Sequence, residues 1–310
     1  MKKFLSFMAA FALCLSLQAQ TTSSEDYLRR YNNLVQRVGA AGVGVETLLD
    51  KWAADYPDDL EMLLARFSFC FTRSESTQVI QLDRDRYLGN APILPFTDSL
   101  GVKRNYFEDP QYDDDLFSQA EQALNRAIEL HPERLDLAFL RVTALTAYEK
   151  ESPDMALSVL KSIVDRHYKT HPGWVYPGID RVDDETFKAF IQDYCVSFFR
   201  IGSNASAEAF RTLSEHMLSY CKDDPLFMDN IGSYWFVSRK DHKKALKYYN
   251  AVLKKHPGDV TAIRNCILLA RNEKNVKLEK KYLPMMAKYG ETENDRLAAA
   301  ARLEVLKKKK

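Results

Sequence analysis

Three segments of the chain share one spacing of apolar residues, and each of them ends in a proline. In the segments that begin at Val45, Ala120 and Ala245, a large residue follows at +4, two apolar residues follow at +7 and +8, and a proline follows at +12. Residues at this spacing lie on one face of an α-helix, and proline cannot continue a helix. The pattern therefore predicts three amphipathic helices. They end before Pro57, Pro132 and Pro257.

A second amphipathic pattern follows each of these prolines. From the first apolar residue, further apolar residues recur at offsets of 3, 7 and 10, which also places them on one helical face. The three sets are Leu60, Leu63, Phe67 and Cys70; Leu135, Ala138, Val142 and Leu145; and Val260, Ile263, Ile267 and Ala270. Because neither helix is apolar all round, each must bury its stripe against its partner and the next pair. The sequence predicts helix pairs stacked in series.

The segment from Met228 to Pro257 resembles a tetratricopeptide repeat. It has Ile231-Gly232 at the Leu-Gly positions of that family and Trp235 at a Tyr position, with one extra residue between its two helices. Its other matching residues are Ala245, Tyr248, Tyr249, Val252 and Leu253. The resemblance implies an all-α protein, a right-handed α-solenoid of about six tetratricopeptide-like (TPR-like) helix pairs. It also implies a binding or scaffold protein that is not an enzyme.

We expect the chain to consist of a signal peptide, a repeat domain built from helix pairs, and a C-terminal cap. We expect a signal peptide at 1–19, a TPR-like domain at 20–290 and a capping helix with a basic tail at 291–310. The best repeats span 112–168 and 225–289. The six pairs are expected at 25–57, 60–131, 135–168, 184–222, 225–257 and 260–289.

One stretch, 74–110, interrupts the second pair. Residues 77–82 are rich in strand formers, and Pro92 and Pro95 exclude a helix nearby. Asp98-Ser99-Leu100-Gly101 has the composition of a hairpin turn, in which the Asp98 carboxylate caps the turn and Gly101 takes a left-handed conformation. The sequence predicts a small β-hairpin insertion near 77–107, with strands at 93–97 and 102–107.

The N-terminus has the layout of a secretory signal peptide. Lys2 and Lys3 precede an apolar run that extends to Leu17, and a small residue, Ala19, stands before polar residues. We therefore expect an exported protein, periplasmic or extracellular after cleavage. A lipoprotein is disfavoured because Leu13, and not a small residue, precedes Cys14. No later stretch is long enough for an integral membrane segment.

Charge and motifs argue against several functions. The chain has 44 basic and 43 acidic residues, so it lacks the basic footprint of a nucleic-acid-binding protein. No metalloprotease, P-loop, EF-hand or nucleophile-elbow motif is present. His131 and His256 precede prolines as helix ends, and Asp113 to Asp115 read as a helix start. We expect no metal, no cofactor and no catalytic residues. Cys70, Cys195, Cys221 and Cys266 are either buried thiols or disulfides, and the sequence favours thiols.

Two functions remain open. In the first, the chain is a non-catalytic protein–protein interaction or scaffold protein of the bacterial cell envelope, which binds a protein or peptide on the solenoid surface. In the second, it binds a glycan or envelope polymer, or weakly processes one, through aromatic residues of the loop 171–179; these residues could instead serve packing. The candidate partner-binding residues are Phe139, Thr143, Trp174, Tyr176, Arg264, Asn265 and Arg271.

Overall fold

The computed structural model describes residues 22–308, and it is helical apart from one small sheet. The predicted signal peptide lies outside the described residues. The predicted fold class, an all-α solenoid with a small β insertion, is confirmed, because helix pairs follow one another along the chain and a three-stranded sheet interrupts them. The sheet strands are β1 (Glu75–Leu82), β2 (Leu94–Thr97) and β3 (Lys103–Tyr112). The helices are α1 (Ser24–Val38), α2 (Val45–Asp55), α3 (Leu60–Ser74), α4 (Asp114–Leu130), α5 (Leu135–Glu149), α6 (Asp154–Thr170), α7 (Asp184–Ile201), α8 (Asn204–Tyr220), α9 (Pro225–Ser233), α10 (His242–Lys255), α11 (Val260–Asn272), α12 (Val276–Tyr289) and α13 (Glu293–Lys308).

The chain forms two compact units. The first holds α1 to α4, where α3 packs on α4 and α2 packs on both α1 and α3. Its centre is Trp52, which is fully buried, stacks on Tyr27 at 6.0 Å and donates a hydrogen bond from Nε1 to Ser24 Oγ. The second holds residues 78–109 and α5 to α13, in which each helix of a pair packs on its partner.

The apolar stripes face the core as their spacing predicts. Val45, Leu49 and Trp52 are buried in α2, and the equivalent positions of α4 and α10 are buried as well. His131 and His256 are the residues that end α4 and α10, and the Asp113 carboxylate accepts the Leu116 N–H at the start of α4. The four cysteines of the described chain are free thiols.

The extra residue of the fifth pair is absorbed in a π-helical turn. After α9, residues Tyr234–Ser238 form this turn, and the Arg239 N–H bonds to the Tyr234 carbonyl, five residues back. A π turn accommodates one inserted residue without ending the helix. Gly232 lies just before it, and a Cβ there would stand 2.4 Å from the buried Tyr249 ring. The glycine thus lets α9 and α10 approach closely.

The insertion is a three-stranded sheet in the order β1-β3-β2. The predicted hairpin is β2 and β3, and the residues with strand-forming tendency after α3 become the third strand. At the hairpin turn, Asp98 Oδ1 accepts the N–H groups of Leu100 and Val102, and Gly101 has a φ of 80°. The turn therefore has the predicted chemistry.

Strand β2 is an edge of the sheet, and a proline lies on its open side. The Asp98 N–H bonds to the Val102 carbonyl, and hydrogen-bonded pairs recur at every second residue of an antiparallel ladder. In the observed register, the backbone hydrogen-bonding groups of Leu94 and Phe96 therefore point toward β3, whereas the backbone of Pro95 points to the open edge of the sheet. Prolines are found in sheets where no ladder donor is needed.

Candidate binding site on helices α5 and α7

One face of α7 carries the residues of the candidate site. The helix begins where the Asp183 carboxylate accepts the Thr186 N–H, and it ends at Gly202, whose φ is 78°. Phe190, Tyr194 and Ser197 follow one another at helical spacing, so they lie on one face.

An aromatic cluster joins this face to α5 and to the loop before α7. The Phe139 ring of α5 lies 5.5 Å from Phe190 and 5.2 Å from Tyr194. The Tyr176 ring stacks on Phe190 at 4.7 Å. Thr143 of α5 also contacts Tyr194, so the structure brings Phe139 and Thr143 together with Tyr176, which lies more than 30 residues further along the chain.

Hydrogen bonds fix the orientation of Tyr194 within the cluster. Its hydroxyl donates to the Phe139 carbonyl at 2.9 Å, and Thr143 Oγ1 lies 3.2 Å from the same hydroxyl. Burial raises the pKa of Tyr194 to about 12, so the phenol stays neutral at physiological pH. The ring is therefore held in place as an apolar surface.

The cluster is only partly covered by the rest of the protein. Phe139 is buried, Tyr176, Phe190 and Tyr194 are half-buried, and Thr143 is exposed. We call these five residues the α5–α7 strip. Half-buried aromatic rings held by fixed neighbours offer contact area at little cost in side-chain entropy.

A tight turn of the insertion meets the C-terminal end of α7. Tyr87 and Asn90 exchange both backbone hydrogen bonds, and the two residues between them, Leu88 and Gly89, have φ values of 47° and 82°. Two positive φ values define a type I′ turn. A Cβ on Gly89 would lie 2.9 Å from the Arg200 carbonyl oxygen, so the glycine permits this close approach.

The turn is anchored by a buried polar network. Tyr87 donates from its hydroxyl to Asp109 Oδ1 at 2.7 Å, and Lys150 Nζ donates to the same oxygen at 2.8 Å. Burial, and next the bond to Asp109, raise the pKa of Tyr87. Arg84 lies over the Tyr87 ring and pairs with Glu151. A non-glycine residue such as Leu88 is costly at positive φ, and this network holds it there.

The turn and α7 enclose a pocket of about 460 Å³, which we call the turn pocket. The Arg200 guanidinium makes no hydrogen bond or ion pair within residues 22–308, and the Arg86 guanidinium donates only to the Gly89 carbonyl. The lining residues are Arg86, Leu88, Gly89, Asn90, Asp193, Ser197, Arg200 and Ile201. Sequence reasoning missed this pocket, because its two sides come from segments about 110 residues apart.

The two aromatic residues of the loop 171–179, Trp174 and Tyr176, have different environments. Trp174 is 7% exposed, and the Arg166 guanidinium covers its ring at 4.7 Å. Tyr176 stays half-buried in the strip. Of the two alternatives for this loop, Trp174 fits the packing role. Its buried ring has no open face for a sugar.

A pocket of about 680 Å³ lies beside this loop, at the start of α7. Its carboxylates include Asp183, which caps α7, and Asp184, which accepts a hydrogen bond from His167 Nε2 at 3.1 Å. Burial lowers the pKa of His167, so the ring is neutral and Nε2 carries the donated proton. These acidic groups serve the start of the helix.

The remaining candidates lie on α11, away from the strip. Arg264 and Arg271 are exposed, and Asn265 is half-buried. Arg271 Nε donates to the buried Glu279 carboxylate at 2.7 Å, and Arg264 lies 3.7 Å from Glu291. The charge of Arg271 is therefore partly neutralised within the protein.

Within residues 22–308, no group of three or more His, Cys, Asp or Glu side chains could hold a metal ion. In the same part of the chain, no helix is both long and apolar enough to cross a membrane.

Comparisons with known proteins give one distant structural likeness. No protein-family model matches the chain, and no curated protein sequence matches it. Among solved structures, the chain is similar to one from a functional characterisation of PilF of Pseudomonas aeruginosa. The two are 10% identical, and the match covers 92% of this chain and 98% of that chain with a TM-score of 0.33. The likeness between the two structures is distant.

Proposed function

We propose that the protein is a non-catalytic interaction protein that binds an extended segment of another polypeptide along the α5–α7 strip. The observation that carries this proposal is the fixed, half-buried aromatic surface of Tyr176, Phe190 and Tyr194. Aromatic side chains in such positions dominate the binding energy of many protein interfaces. The packed helix pairs of the second unit hold this surface in place.

The proposal also concerns the cellular compartment in which the protein and its partner meet. The signal-peptide pattern at 1–19 supports export, so the partner would be a protein or peptide of the cell envelope. The repeat domain 20–290 and the cap 291–310 would act as its scaffold. We propose Arg264, Asn265 and Arg271 on α11 as a second contact area. The glycan alternative is weaker, because Trp174 is buried under Arg166.

The test uses random decapeptides displayed on phage, and compares Tyr176→Ala with Val175→Ala. Tyr176 stacks on Phe190, whereas the neighbouring Val175 is exposed outside the strip. Removing an anchoring aromatic ring costs about 2 kcal/mol of binding, so Tyr176→Ala should weaken the enriched peptides at least tenfold. Val175→Ala should bind as the wild type does, and fluorescence anisotropy with labelled peptides measures both.

Two results would contradict the proposal. Either no peptide is enriched above the starting library, or both variants bind alike. A variant that carries Arg264→Ala and Arg271→Ala tests the second area, and a glycan array with the wild-type protein tests the alternative. We expect no glycan signal above background.

A further inference from the structure

We propose that the turn pocket binds a carboxylate of the same polypeptide that occupies the strip. This inference rests on the proposed function and names the chemistry at one end of the site. Arg86 and Arg200 line the pocket, and neither pairs with a carboxylate within the described residues. A guanidinium is suited to carboxylates because its N–H groups match both oxygens.

The pocket is a formed feature of the protein. The type I′ turn holds Leu88 at positive φ, and Tyr87 secures the turn through Asp109. Gly89 packs against the Arg200 carbonyl, so the backbone at both sides of the pocket is fixed. A ligand therefore meets two cations whose supporting backbone needs no rearrangement.

The net charge of the pocket favours an anion. Its charged side chains are Arg86, Arg200 and Asp193. Asp193 precedes Arg200 by two turns of α7, roughly 10 Å along the helix. The two arginines thus define a cationic end, and Asp193 lies toward the aromatic cluster. It should weaken the binding of an anion without abolishing it.

The helix also sets the spacing between carboxylate and aromatic anchor. Phe190 and Arg200 are ten residues apart on α7, which corresponds to roughly 15 Å. An extended peptide advances about 3.3 Å per residue. A peptide that contacts both ends should therefore carry its carboxylate about four or five residues from a large apolar side chain.

The experiment uses two phage libraries of random decapeptides, one with a free C-terminus and one with a blocked one. We expect enriched peptides to carry an acid at the stated distance from a large apolar residue. Enrichment only with free C-termini identifies a terminal carboxylate, and enrichment of Asp or Glu in both libraries identifies a side chain. For labelled peptides, Arg86→Gln and Arg200→Gln should each weaken binding about tenfold, and Asp193→Asn should strengthen it several-fold.

Opposite effects at neighbouring residues are the signature of a charge-specific site. If the two arginine variants and Asp193→Asn all bind as wild type does, or if enriched peptides lack an acid, the carboxylate inference is wrong. The proposed function would survive that result provided that Tyr176→Ala still weakens binding. If no peptide is enriched in either library, both fail together. Circular dichroism confirms that each variant keeps its helices.

Discussion

The variant Asp229→Asn should be more stable than the wild type, and its advantage should grow by roughly 4 kcal/mol between pH 5 and pH 8. Asp229 lies in α9 and is buried, and its Oδ1 has no hydrogen-bond partner within residues 22–308. Burial, and next the neighbouring Asp259 carboxylate, raise the pKa of Asp229 to about 8. An asparagine keeps the shape of this side chain and removes its charge.

The sign follows from the raised pKa. In the unfolded chain, Asp229 loses its proton near pH 4, whereas the folded protein keeps it until about pH 8. The stability that this group contributes is complete below pH 4 and is lost as the pH rises through 8. Each pH unit between these values removes up to about 1.4 kcal/mol. Asparagine does not titrate, so the variant lacks this loss.

Urea denaturation at pH 5, 6.5 and 8 measures the difference in the free energy of unfolding. Asp241→Asn is the matched control, because Asp241 is a partly exposed cap of α10 and asparagine also caps helices. The control should follow the wild-type pH dependence. A constant difference between Asp229→Asn and the wild type across the three pH values would contradict the assignment.

The substitution Gly232→Ala should destabilise the protein by about 2 kcal/mol. Alanine is the better helix former by about 1 kcal/mol, but its Cβ would overlap the Tyr249 ring, with the nearest atom at 2.4 Å. The ring is fully buried, and its hydroxyl lies 3.2 Å from Ser233 Oγ, so it cannot move away freely. Overpacking of a filled core costs about 1–3 kcal/mol, with larger values for a severe overlap.

A double-mutant cycle with Tyr249→Leu separates this overlap from other effects. Leucine lacks the ring atoms that Gly232→Ala would meet, so the alanine should cost less, or even stabilise, in the Tyr249→Leu background. The coupling between the two substitutions should exceed about 1 kcal/mol in urea denaturation. Additive effects would show that α9 and α10 do not meet at this glycine.

Local spacing predicted the fold because helix pairs are specified by nearby residues. The stripes that begin at Val45, Ala120 and Ala245 lie in the core, and the Asp98 turn has its predicted hydrogen bonds. The sequence shows the extra residue after Gly232, but its accommodation as a π turn depends on packing against α10, which the spacing of apolar residues does not describe.

The candidate site was predicted only in part, because it is assembled from distant segments. The sequence identifies Phe139, Thr143 and Tyr176 as candidates, and the structure places them against Phe190 and Tyr194 of α7. Phe190 and Tyr194 had the signal of two aromatic residues at i and i+4, which fits a buried stripe equally well. The turn pocket had no sequence signal, since nothing local relates Arg86 to Arg200.

The open edge of β2 has a consequence for how the insertion associates with other molecules. Leu94 and Phe96 are exposed, and Leu100 at the tip of the hairpin is 86% exposed. The hairpin of β2 and β3 therefore offers apolar side chains to other molecules. Pro95 interrupts the donors along that edge, and an incoming strand would find no continuous ladder. The hairpin can therefore contact another molecule through its side chains, while its interrupted edge opposes the strand addition by which fibrils grow.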